Sequence, residues 1–170
     1  MASHQTISAE KTRPANTTDY GANDVISESD TNGTGTAWTF TGPGRSGYIV
    51  GATVITDDAS LTPSMTLFLF TKTPTGELDD NAANTSPVYA TDVPVAAGAA
   101  GWIGHIDFDA MESLSATASW SLASLGSAGN LAIPYSAVAT DALYGVLITR
   151  GAFTPSSGQK FAITLHVVRD

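Results

Sequence analysis

The chain changes character at Trp38. Before it, large apolar side chains are sparse: Ile7, Tyr20, Val25 and Ile26 stand among Thr, Asn, Asp, Ser and Gly, too few to offset the entropy of ordering the segment by themselves. From Trp38 to Val168 apolar and polar positions alternate with a period of two, the pattern of half-buried strands. The sequence therefore divides into an extended N-terminal arm, residues 1–36, and a β-structured domain, residues 37–170. The arm reads either as a loosely ordered terminus or as a strand ordered by pairing with a neighbouring subunit, since Thr12-Arg13-Pro14 and Thr17-Thr18 favour extended backbone.

Within the domain, Trp38-Thr39-Phe40 is a short alternating piece, and the glycines and proline of residues 42–47 make a turn. Tyr48 to Thr56 reads as a long strand that stops at Asp57-Asp58. The continuous apolar run Met65 to Phe70, bounded by Pro63 and Pro74, predicts a central strand covered on both faces. Residues 71–100 are mostly turn-formers, with Pro87-Val88-Tyr89-Ala90 as a short edge strand. In the next strand Trp102, Ile106 and Phe108 share the core face with Gly104, while His105, Asp107 and Asp109 share the wet face. Asp109 to Ala118 suits a single helical turn. Trp120–Leu125 and Leu131–Tyr135 are two short strands joined by a hairpin connection through Gly126–Asn130. Residues 142–149 and 160–168 close the chain as two strong strands around a turn at Thr154–Gly158.

About eight short strands without a long helix predict two packed antiparallel sheets, a jelly-roll-like sandwich. Neither a 20-to-50-residue repeat nor a heptad is present, which disfavours solenoids, propellers and coiled coils.

Composition narrows the function. At 170 residues the chain is long enough to bury a core without covalent staples. It has no cysteine, so disulfides, thiolate metal sites and cysteine nucleophiles are excluded. Sixteen acidic residues oppose seven basic ones, a net charge of −9, and the cations are scattered. A phosphate-tracking groove gathers lysine and arginine on one surface, so neither nucleic acid nor an anionic membrane is an expected partner. The N-terminus lacks the apolar run of a secretory signal, and no stretch approaches the length of a membrane span.

Candidate chemistry is sparse. His105, Asp107 and Asp109 project from one side of a strand, and an imidazole flanked by carboxylates can hold a divalent metal or orient a base. Asp79-Asp80-Asn81 with Asn84 offers oxygen ligands on a loop, as calcium requires, but without the glycine and closing glutamate of an EF-hand. Asp57-Asp58 is a further carboxylate pair. No nucleophile elbow, phosphate loop or dinucleotide fingerprint occurs. The residues thus predict a protein that is not an enzyme and carries no cofactor, with a hydrolase built on His105 as the least favoured reading.

The pieces Gly47-Tyr48-Ile49-Val50-Gly51-Ala52, Leu67-Phe68-Leu69-Phe70, Gly104-His105-Ile106-Asp107-Phe108, Ala142–Leu147 and Ala152–Phe161 together resemble small all-β virion proteins of tailed bacteriophages, of the capsid decoration or cement type. The resemblance covers most of residues 38–168 and lies in strands and turns. It implies placement on the outer capsid surface of a virion made in the host cytoplasm, with the major capsid protein and neighbouring copies, as a homotrimer, for partners. Contacts are then expected from the arm, at Thr12, Arg13, Pro14 and Tyr20, by strand addition to a neighbouring sheet edge. The alternative is a tail, baseplate or head-fibre component, in effect a carbohydrate-binding module, that recognises the host surface through Trp38, Trp120 or Tyr135.

Overall fold

A computed structural model describes residues 3–93, 101–124, 131–136 and 141–169. Among them, eleven strands form two antiparallel sheets. The six-stranded sheet holds β1 (Ser3–Thr12), β4 (Ser46–Thr56), β7 (Glu112–Ser115), β8 (Ala118–Ser124), β9 (Ile133–Ser136) and β11 (Lys160–Arg169), in the order β1-β11-β4-β8-β7 with β9 also on β4. The five-stranded sheet holds β2 (Val25–Ile26), β3 (Trp38–Thr41), β5 (Met65–Phe70), β6 (Trp102–Phe108) and β10 (Ala142–Thr149), in the order β2-β10-β5-β6 with β3 also on β10.

β8 and β9 lie end to end along one side of β4, and β2 and β3 along one side of β10. Counting each such pair as one strand, the first strand sits beside the last, and the chain changes sheets repeatedly, as it does between β3 and β4, β4 and β5, and β10 and β11. This is jelly-roll topology. β8 and β9 do not pair with each other, so the expected hairpin is not formed; its connection, residues 126–130, lies outside the described residues. Likewise β10 and β11 belong to opposite sheets, and residues 150–159 cross between them.

The core follows from the alternation. Phe161, Ile163, Leu165 and Val167 of β11 point inward with Ile49, Ala52 and Val54 of β4, meeting Met65, Leu67, Leu69, Ile106, Phe108, Leu143 and Leu147 of the other sheet. β5 is covered on both faces, as its unbroken apolar run predicts: Phe70 joins Val25, Val146 and Ile148 in a second cluster on the far side of its sheet.

Three local expectations are corrected. Trp102 does not share the face of Ile106 and Phe108. The register against β5 shifts between Leu69 and Phe70, so Trp102 turns outward and packs on the second cluster. Residues 87–90 are a turn and not a strand, because Asp92 accepts the Val88 amide at 2.8 Å and the Asp92 amide returns to the Val88 carbonyl. The helical turn expected in 109–118 is absent; Glu112–Ser115 pairs with β8 as a hairpin.

Residues 3–12 pair along their whole length with β11, from Ser3 opposite Arg169 to Thr12 opposite Lys160. The first part of the segment read as an arm is therefore the sandwich's own outer strand, paired with the chain's last strand. Its inward residues Ile7 and Ala9 reach the core, which supplies the apolar burial that the segment lacks on its own.

Candidate functional site

Residues 13–36 and 71–93 are polar and hold little regular structure, yet they interlock. Main-chain bonds run from Val25 to Ala82, Asn81 to Val25, Asp80 to Ser29 and Asn84 to Asn23. Together these two segments, with Leu78 and Val25, roof the outer face of the five-stranded sheet. What fastens the roof is a buried polar network. Asp80 accepts from Arg13 Nη2 at 3.0 Å, from the Tyr20 hydroxyl at 2.5 Å and from the Ser27 amide at 2.9 Å. Arg13 Nε also donates to the Tyr20 hydroxyl, and the Tyr20 ring stacks on Phe153 with centroids 4.6 Å apart. Both ends of the Arg13–Asp80 pair are fully shielded from solvent. Burial, reinforced by the Asp80 carboxylate, pushes the Tyr20 hydroxyl far above its usual range.

This geometry bears directly on the expected contact residues. Arg13 and Tyr20 are buried within the chain, and their polar atoms are committed to each other, to Asp80, and in the case of Arg13 to Asn16 and the Ser156 carbonyl as well. They act as a clamp and present no surface to another subunit. Thr12 is exposed at the end of β1 and Pro14 is half-buried. The sequence places a cation and an aromatic in a polar stretch; only the fold reveals that Asp80, 67 residues from Arg13, completes them.

The loop carboxylates are consumed in the same manner. Asp79 turns inward and accepts the amides of Gly35, Gly33 and Thr34 at 2.7, 2.6 and 3.1 Å, bonds that hold its pKa below the ordinary value. Gly35 is required here, because a Cβ would lie 2.1 Å from the Leu78 carbonyl oxygen. With Asp79 and Asp80 both engaged, the pair does not present a calcium loop. Asp57 accepts the Lys160 amide, and Asp58 accepts from Ser60 and Ser156. His105 Nε2 stands 3.5 Å from Asp107, both side chains being about half-exposed, while Asp107 also accepts from the Thr66 hydroxyl at 2.6 Å. Among the described residues no group of three or more His, Asp or Glu side chains is arranged to hold a metal ion.

A second polar knot ties β1 to the roof. Lys11 Nζ donates to Glu28, to Ser27 Oγ at 3.2 Å and to Thr36 Oγ1 at 3.0 Å, and stands 5.7 Å from the Trp38 ring centroid. The pair is asymmetric. Burial outweighs attraction for Lys11 and lowers its pKa; burial alone would raise Glu28, but bonds from Lys11, Thr36 and Ser27 bring it down to about 2. Because Glu28 is depressed from 4.5 in the folded chain, its contribution to stability is complete above about pH 4.5 and is lost as pH falls through about 2. Urea unfolding midpoints followed across that window should fall more steeply for the wild type than for Glu28→Gln.

The aromatic candidates for sugar binding separate cleanly. Trp38 and Tyr135 are buried in the core, Trp38 donating to the Ile26 carbonyl and Tyr135 to that of Pro43. Trp120 alone is half-exposed, and it stands on the outer face of the six-stranded sheet.

That face runs across all the strands of its sheet. The cross-strand registers set Glu10, Ala162, Ile55, Trp120 and Glu112 in one row, Ser8, Thr164, Thr53 and Leu122 in the next, and His4, Val168, Tyr48 and Pro134 in another. No described segment roofs it. Tyr48 is 45% and Leu122 43% exposed, and a depression of about 340 Å³ lies at one end between Ile55, Ala118 and Ala162, rimmed by Glu10, Asp57 and Lys160. The chemistry available is contact: hydroxyls, small apolar groups and a few large ones, with charge only at the margins. Fold and site thus define an acidic jelly-roll domain with one sheet covered by its own loops and the other bare among the described residues. The chain matches no protein-family model, and no curated protein is significantly similar to it.

Proposed function

We propose that this chain is a non-enzymatic structural protein of a bacteriophage virion, a decoration or cement protein that binds the outer surface of the head and neighbouring copies of itself. The observation that carries the reading is the contrast between the two sheets. Carboxylates that could have formed a reactive centre are instead bonded within loops, as Asp57, Asp58, Asp79 and Asp80 are, whereas no described segment covers the outer face of the six-stranded sheet, whose charge lies at its margins. Such a face suits broad protein contact. Jelly rolls recur among viral capsid and lectin domains, an analogy of fold that supports the reading without identifying a site.

The mechanism is additive: each copy buries apolar area worth about 25 cal/mol per Å², and many copies brace a shell against internal pressure. The acidic surface suits a protein outside the shell, in contact with protein and solvent while the genome lies within. Heads prepared without the chain should bind it when it is added back, and should then resist heating and osmotic shock better. Heads that neither retain the added chain nor gain stability would refute the proposal. The host-recognition alternative rests on Trp120 alone, since Trp38 and Tyr135 are core residues, and no second exposed aromatic forms a platform with it.

A further inference from the structure

We propose that two copies of this chain pair face to face through the bare side of the six-stranded sheet. The middle of this face carries no carboxylate. Of the sixteen acidic residues, the registers of β1, β11, β4, β8 and β7 place Glu10 and Glu112 on this face, Asp57 joins Glu10 at the rim of its depression, and all three stand at its margins. Two copies of a chain with net charge −9 repel wherever carboxylates meet, so this is the surface on which they can approach without burying one.

The apolar groups gather in the same place. Four large hydrophobic side chains are exposed among the described residues; Tyr48 and Leu122 stand on this face, Leu114 lies in its edge strand β7, and only Tyr89 is elsewhere. Towards the middle Thr164 of β11 faces Thr53 of β4, with Ala162 beside Ile55 on one side of that pair and His166 beside Gly51 on the other, so small side chains alternate with larger ones. Small residues alternating with larger ones let two sheets come to the usual separation of about 10 Å.

The area is sufficient. Five strands about 4.8 Å apart and some nine residues long at about 3.3 Å each span roughly 20 by 30 Å, a projected surface of about 600 Å². Side-chain relief brings that near the ~800 Å² per partner of a standard stable interface. A face meeting its own copy is isologous and closes as a two-fold dimer, so the association is pairwise and not the three-fold arrangement that the sequence resemblance implies.

Sedimentation of the full chain measures this directly. The wild type should move from the 17.5 kDa of one chain to twice that mass as concentration rises into the micromolar range. Leu122→Lys places a charge on each copy's face and should weaken the pairing at least tenfold, with an unchanged circular dichroism spectrum; Tyr89→Lys, on the roofed side, should leave it unaltered. A wild type that stays at 17.5 kDa at hundreds of micromolar, a trimer, or a dimer indifferent to Leu122→Lys would overturn the inference. If Leu122→Lys fails to fold, Thr53→Lys on the neighbouring strand replaces it, with the same outcomes. The virion role is tested separately: a chain that binds heads as a monomer loses only this inference, and one that pairs but binds no head loses only the other.

Discussion

Replacing Asp80 with alanine should cost about 3–5 kcal/mol of folding stability, the largest effect expected of any single polar substitution in this chain. The reason is the asymmetry of buried ion pairs. Removing one partner leaves the other charge buried and uncompensated, and here Arg13 Nη2, the Tyr20 hydroxyl and the Ser27 amide all lose their acceptor together. For a chain of this length each kcal/mol moves the melting midpoint by about 2–4 °C, so the shift should be about 6–20 °C. Removing both charges by combining Arg13→Met with Asp80→Leu should restore part of the loss, because no unpaired charge then remains. A drop below about 1 kcal/mol for Asp80→Ala, typical of an exposed pair, would mean that the network is open to water.

Trp38→Ala should be comparably damaging, at about 3–5 kcal/mol, as for other large-to-small aromatic changes in cores. Trp38 is 1% exposed, begins β3 opposite Gly145 of β10, and gives its indole N–H to Ile26 at 3.1 Å. It also lies under Lys11 of β1, so its ring fills the corner where the two sheets approach each other. Denaturant unfolding should show a lower midpoint with an unchanged slope. A mild loss of under 1 kcal/mol would show that the corner collapses around the gap.

The sequence signals that proved readable were those carried by neighbours in the chain. The period of two located β3, β4, β5, β10 and β11 to within a residue or two, and the apolar run in β5 announced its two covered faces. Signals that failed were those settled by distant partners. The bulge that turns Trp102 outward is a matter of register against Phe70, and alternation alone assigns it to the wrong face. Residues 3–12 looked too polar to order themselves, and they are, until β11 supplies ten paired positions. The Arg13–Tyr20–Asp80 clamp was hidden for the same reason: the chain separates its members by as much as 67 residues. Conversely, the Asp79-Asp80 and His105-Asp107-Asp109 patterns promised chemistry through proximity in sequence, but loop amides, Arg13 and Thr66 take up Asp79, Asp80 and Asp107 respectively.

The bare sheet was legible only in hindsight of topology. Thr, Ala, Ser and Val alternate with core residues in β1, β4 and β11, and any of those strands could have faced water or the roof. Once β1, β11, β4 and β8 are set side by side, their outward residues merge into one surface, and segments 13–36 and 71–93 lie on the opposite sheet.

Quantitative mass spectrometry of purified virions decides the proposed role, because a protein that decorates a shell by broad contact must be present in numbers that match the shell. The account predicts this chain in near-stoichiometric ratio to the major shell protein, and released before the shell disassembles on heating. Its absence from the particles, or a handful of copies confined to the tail, would contradict it.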